Sequence, residues 1–144
     1  MIRAVLDTNT LVSAVINVTS SVASEIYQNC KDKHFLLIIS PSILAEVDNV
    51  LRRDRVMKSH KRSIQELQEI IREMADVSSV VPGRIKIEMV RDPDDDKIIS
   101  AAIEGKADYI VSRDRDLLDI KEYQGIKIIT PEKFMGILRT KNTN

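Results

Sequence analysis

Four acidic positions stand where apolar runs end or helices open. Asp7 follows the run at residues 2–6, Glu46 lies in the helix-like segment after residues 36–39, and Asp114 follows Tyr109-Ile110-Val111-Ser112-Arg113. The fourth is a run, Asp92-Pro93-Asp94-Asp95-Asp96, which opens the helix leading into residues 109–111. Carboxylates brought to one place repel, since two unit charges about 4 Å apart cost roughly 4 kcal/mol at an effective dielectric of about 20. A cluster of four is therefore a poor way to stabilise a small domain. Either some of the acids stay protonated or a hard divalent cation binds among them. Only oxygen donors are on offer, because neither His34 nor His60 stands at a strand end, so one or two Mg²⁺ or Mn²⁺ ions are favoured over Zn²⁺. Such ions lower the pKa of a bound water, hold phosphate oxygens and neutralise a leaving oxygen during in-line attack, which suits phosphodiester hydrolysis. No other nucleophile competes: the Ser and Thr residues near these acids lack a partnering His, and the chain has no Gly-Lys-Ser/Thr phosphate loop.

These carboxylates can meet only if the fold delivers them to one edge. Runs at 2–6, 36–39, 109–111 and 126–129, with a weaker one at 77–81, are apolar and rich in β-branched residues, as strands covered on both faces are. Between them lie stripes of helical period: Ala23, Ile26, Tyr27 and Cys30; Ile43, Leu44, Val47, Val50 and Leu51; Ile64, Leu67, Ile71 and Met74. Strands alternating with helices imply an α/β fold, a parallel sheet with helices on both sides. In such a sheet, chemistry gathers beyond the carboxyl ends of the strands, where strand order reverses. If the first and fourth strands are neighbours at that point, all four elements deliver a carboxylate there. Ser40-Pro41, Asp92-Pro93 and Thr130-Pro131 each place a capping side chain ahead of a proline at the first helical position.

The chain has 144 residues, 43% hydrophobic and 31% charged, enough for one core and too short for two ordinary domains. We expect one domain over residues 1–144 with an ordered core at about 2–138 and an unstructured tail at 140–144. The 22 basic residues balance the 22 acidic ones, so any attraction for nucleic acid must come from a local patch. The single cysteine, Cys30, excludes an intramolecular disulfide and a thiolate metal cage, fits a reducing cytoplasm, and is read as a small apolar residue on a helix face. Charge enters too early for a secretory signal, and no apolar run approaches the roughly 20 residues that span a bilayer. The expectation is a cytoplasmic protein with no membrane contact.

Each acid also has a plainer role. Asp92, Asp94 and Asp95 are placed to cap a helix and complement its dipole, which makes them poor choices as direct ligands. Asp114, ahead of Arg115-Asp116-Leu117-Leu118, is placed to cap a short helix, and Glu46 flanks its apolar stripe as a solvated residue would. Asp7 is hardest to explain this way, because an acid ending a buried strand carries a desolvation cost that something must offset.

Val5-Leu6-Asp7-Thr8-Asn9, Ser40-Pro41-Ser42-Ile43-Leu44-Ala45-Glu46-Val47, Asp95-Asp96-Lys97-Ile98-Ile99-Ser100-Ala101-Ala102 and Tyr109-Ile110-Val111-Ser112-Arg113-Asp114-Arg115-Asp116-Leu117-Leu118 occur in the order and spacing of a PIN domain. Over about residues 2–138 the chain resembles that family, in the branch of VapC-like toxin components of toxin–antitoxin systems. The resemblance implies a three-layer α/β/α Rossmann-like sheet of about five strands in the order 3-2-1-4-5, and a metal-dependent endoribonuclease. It implies the catalytic and metal-binding acids Asp7, Glu46, Asp96 and Asp114, with Asp116 auxiliary, Asn9 orienting the metal shell, and Ser112 standing where the family often has Thr. Asp95 is the alternative to Asp96, since adjacent residues on a helix point about 100° apart. A small antitoxin that covers the acidic cleft and a homodimer are further implications.

RNA contact has a local source in Arg52, Arg53, Arg55, Lys58, Lys61 and Arg62, set against the single acid Asp54. That excess suits phosphate contacts, and equally a solvated helix end and turn. Arg113, Arg115 and Lys97 are alternative phosphate clamps or ion-pair partners. With no Trp, three Tyr and two Phe, base stacking is not the main source of affinity. Two other readings use the same fold. A catalytically silent RNA- or protein-binding module gains nothing from clustered carboxylates, and a phospho-accepting receiver wants a Lys just after a late strand, where this chain has Ser112-Arg113-Asp114 and Thr130-Pro131.

Overall fold

A computed structural model describes residues 1–16, 21–86 and 93–142 of the chain. In chain order the elements are β1 (Arg3–Leu6), α1 (Thr8–Ile16), α2 (Val22–Lys31), β2 (Leu36–Ile39), α3 (Pro41–Leu51), α4 (Asp54–His60), α5 (Ile64–Asp76) and β3 (Ser78–Val80). They continue with α6 (Pro93–Glu104), β4 (Tyr109–Val111), α7 (Arg115–Ile120), β5 (Glu122–Tyr123), β6 (Ile126–Ile129) and α8 (Pro131–Asn142). The sheet runs β3-β2-β1-β4-β6-β5, parallel except for the antiparallel edge strand β5. The five expected strands stand in the expected order, and β1 and β4 are neighbours.

The sixth strand comes from a hairpin. Gln124 and Gly125 both have positive φ, 49° and 83°, which is the mirror-image turn that lets two strands reverse through a two-residue loop. Tyr123 then pairs with Ile126.

Register, with two close contacts, settles which faces α6 and α8 cover. Val5, Ile38, Ile110 and Ile128 stand side by side on one face. Gly105, at the end of α6, abuts Ile38 so closely that a Cβ there would lie 2.5 Å from Ile38 Cγ2, so α6 lies on this face. Tyr109 lies on the other face, where its ring tilts against Phe134 of α8, and Phe134 meets Phe35 edge-on at 5.0 Å. Helices thus flank a central sheet, and Leu6, Ile38, Ile39, Leu11, Ile43, Leu67 and Phe134 are all buried in the apolar cluster around it.

Local chemistry explains the helix ends. Ser40 caps α3 by accepting the Ile43 N–H, with Pro41 at the first position, and Thr130 accepts the Lys133 N–H at the head of α8. Helix α6 opens at Pro93 as expected, while its expected cap, Asp92, lies outside the described residues. Two expectations differ. The segment at 52–62, read as a helix end and turn, contains the short helix α4, which buries no residue and closes at Lys61 in the left-handed region. Residues 140–142, expected as a loose tail, complete α8. No helix among the described residues is long and apolar enough to cross a membrane.

Candidate active site

Asp7 stands at the junction of β1 and α1. Its amide continues the sheet by donating to the Val111 carbonyl, and its carbonyl accepts the Leu11 N–H as the first helical bond. The carboxylate is buried, 7% exposed, and both of its oxygens are held: Oδ1 accepts the Thr10 N–H at 2.9 Å, and Oδ2 accepts the Ser112 hydroxyl. These charge-assisted bonds, with the positive end of α1, offset the desolvation that the sequence left unexplained. Ser112 is itself fully buried, and its Oγ also accepts the Asp114 N–H at 2.9 Å. One hydroxyl thus ties the acid after β1 to the acid after β4. Asp114 is exposed and caps α7, its Oδ1 accepting the Asp116 N–H.

Glu46 is half-buried on α3 and pairs with Lys97 of α6, so the helix that supplies an acid also supplies the cation facing Glu46. Asp7, Glu46, Asp95 and Asp114 all line one cleft of about 460 Å³ at the carboxyl ends of β1 and β4. Its wall also carries Asn9, Asn49 and Thr8, and the Thr8 hydroxyl is buried with no hydrogen-bond partner among the described residues. Helices α1 and α7 open onto this cleft, and Asp95 lies in the first turn of α6, so positive helix ends ease the gathering of acids.

The two candidates for the acid of α6 are placed differently. Asp95, 6% exposed, faces the cleft, whereas Asp96 is half-buried and is absent from its lining. Consecutive helical positions are turned about 100° from each other, so only one of the pair can point inward. Asp116, in the first turn of α7, is exposed and is not among the residues lining the cleft. Of the six basic residues at 52–62, Arg53 alone reaches the cleft, while Arg52 is held by Asp48 through a 2.9 Å bond. Arg113 lines an adjoining cleft of about 420 Å³ that shares Asp7, Asn9 and Asp114 with the first. It forks onto Glu132, and these hydrogen bonds hold the Glu132 carboxyl below its usual range. Thr8 was not singled out from the sequence; its place directly after Asp7, at the first position of α1, was the available clue.

The donor set suits a hard divalent cation: carboxylate and amide oxygens. Among the described residues, no group of three or more His, Cys, Asp or Glu side chains forms a ready-made cage.

The model of the PIN domain matches residues 3–116, and the chain belongs to that family, whose members are generally nucleases that use divalent metals. An uncharacterized protein of Methanocaldococcus jannaschii, MJ1680, is 27% identical over 142 residues, covering 93% of this chain and 90% of that one. A chain in the crystal structure of VapBC2 from Rickettsia felis, bound to a DNA fragment from their promoter, matches with a TM-score of 0.59 at 17% identity. That match spans 90% of this chain and 98% of the other, and it is a likeness of fold.

Proposed function

We propose that the chain is a single-domain, Mg²⁺- or Mn²⁺-dependent endoribonuclease, the toxin of a type II toxin–antitoxin pair. It would act in the cytoplasm as a homodimer restrained by a small antitoxin. The observation that carries the enzyme reading is the convergence of Asp7, Glu46, Asp95 and Asp114 from four separate elements on one oxygen-lined cleft. The fold shared with a chain of a VapBC complex supports the pairing with an antitoxin.

Asp7, Glu46, Asp95 and Asp114 would hold one or two metal ions, with Thr8 and Asn9 beside them. A bound ion supplies an activated water and charge stabilisation at the scissile phosphate. The protein's own contribution is positional. Ser112 and the Thr10 amide fix both oxygens of Asp7, and Ser112 fixes the backbone of Asp114. Lys97 holds Glu46 and, with Arg53 on the cleft wall, offsets negative charge where a phosphodiester enters.

Cleavage of single-stranded RNA by the purified protein should require Mg²⁺ or Mn²⁺, stop with chelator, and be abolished in Asp7→Asn. Unchanged cleavage in that variant would refute the assignment. A catalytically silent PIN-fold binding module is favoured by one observation, the engagement of Glu46 by Lys97 in the absence of a ready-made cage among the described residues. Calorimetry with no heat of Mn²⁺ binding at millimolar concentration would establish that reading instead.

A further inference from the structure

A second surface, whose lining shares no residue with the acidic clefts, lies between α8 and β6. The face of β6 that carries Ile126 and Ile128 is buried, while Lys127 and Ile129 look out beside α8. Together with Tyr109, Ile137 and Gly136 they border an open groove of about 700 Å³. Its floor is largely apolar, from Tyr109, Ile129 and Ile137, and every charged residue that lines it is a lysine: Lys127, Lys133 and Lys141. All three are exposed, and none closes an ion pair among the described residues, although Lys127 stands opposite Glu122 in the β5–β6 register. Asp108 lies off the far end, beside Lys141, and its carboxylate accepts the Arg3 N–H.

The pattern on α8 is a helical stripe. Lys133, Ile137 and Lys141 follow one another at intervals of four, with Gly136 and Thr140 alongside. From Lys133 to Lys141 the helix rises about 12 Å, enough to lie along roughly two turns of another helix. Among the described residues, nothing outside α8 approaches within 4 Å of where a Gly136 side chain would begin, so a partner backbone can come close there.

We propose that this groove docks an acidic amphipathic helix of a partner protein, with its apolar stripe on Ile129, Ile137 and Tyr109 and its carboxylates on Lys127, Lys133 and Lys141. Charge complementarity and an apolar floor together select this occupant. A nucleic acid backbone would use the lysines but has no use for the isoleucines, and Tyr109 is already packed on Phe134. The inference goes beyond the nuclease reading and does not depend on it, because no groove residue lines the acidic clefts.

The probe is a labelled synthetic peptide that forms an amphipathic helix with Leu on one face and Glu on its flanks, followed by fluorescence anisotropy on the full chain. Binding should weaken about tenfold or more in the Lys133→Glu/Lys141→Glu variant and in Gly136→Leu. The second change favours helix formation, so loss of binding there is not loss of folding. A peptide with Lys in place of Glu should bind the charge-reversed variant better than it binds the original chain. RNA cleavage should be the same in all of these variants. The proposal is overturned if the Glu peptide fails to bind, or binds equally to every variant. It is also overturned if these changes abolish binding of a single-stranded RNA instead, or if sedimentation shows that the groove joins two copies of this chain.

Discussion

Replacing Ser112 by alanine removes the hydroxyl that donates to Asp7 Oδ2 and accepts the Asp114 N–H. A hydrogen bond to a buried charged group contributes about 1.5–3 kcal/mol, and Asp7 would be left buried with one oxygen unheld. The orphaned Asp114 amide adds little, since that residue is exposed and water can reach it. The expected loss is about 2–3 kcal/mol, which over 144 residues lowers the melting temperature by about 7–10 °C. Activity should suffer more than stability. With Asp7 and Asp114 no longer tied to one atom, a displacement of about 1 Å at the acids costs on the order of 100-fold in RNA cleavage. Ser112→Thr, which keeps the hydroxyl, should retain most of the cleavage. Thermal melts and cleavage rates on the same preparations test this. An alanine variant with the original melting temperature and rate would show that the Ser112 bridge neither holds the acids nor serves the reaction.

Other expectations follow from single contacts. Gly105→Ala should destabilise by about 1–3 kcal/mol, because the new Cβ falls 2.5 Å from Ile38 Cγ2; in denaturant melts, the same change made on an Ile38→Ala background should cost measurably less. Lys97→Met removes the cation facing Glu46 and should tighten Mn²⁺ binding about threefold to tenfold by calorimetry, whereas unchanged affinity would mean that Glu46 takes no part in metal binding. Burial raises the Cys30 thiol from its ordinary 9.0 to about 11. A raised thiol contributes stability that is complete below the ordinary value and lost as pH rises through about 11. Melts across that range should therefore fall more steeply for the original chain than for Cys30→Ala.

The sheet was legible because its strands are short, apolar and β-branched, and because three prolines follow capping side chains at helix starts. Helix α1 was not. Thr8, Thr10, Leu11, Val12, Ala14 and Val15 are all buried, so the segment is apolar nearly all round and shows no single stripe. The β5–β6 hairpin was hidden because its turn uses Gln124 at positive φ, a residue type that gives little warning of that conformation. At the site, the places of Asp7 and Asp114 followed from the ends of apolar runs, and that of Glu46 from the helix that follows the second run. The choice between Asp95 and Asp96 did not, since it depends on the rotation of α6 against the sheet, which no spacing in the sequence reports. Nor did it report the dual use of the acids. Asp114 does cap a helix, as the plainer reading held, and Asp7, for which that reading had no account, accepts the Thr10 N–H in the first turn of α1; both line the cleft as well. Capping and ligation draw on different oxygens or different lone pairs of a carboxylate, so one role does not exclude the other.

The account rests on Asp7, Glu46, Asp95 and Asp114 serving as the oxygen shell of a divalent ion. The most direct test is anomalous diffraction from crystals soaked in Mn²⁺. The expected result is a peak within the cleft of about 460 Å³, bonded to Asp7 and at least one of the other three acids, and absent in Asp7→Asn. An empty cleft at millimolar Mn²⁺, or a peak that persists unchanged in the Asn variant, would contradict it.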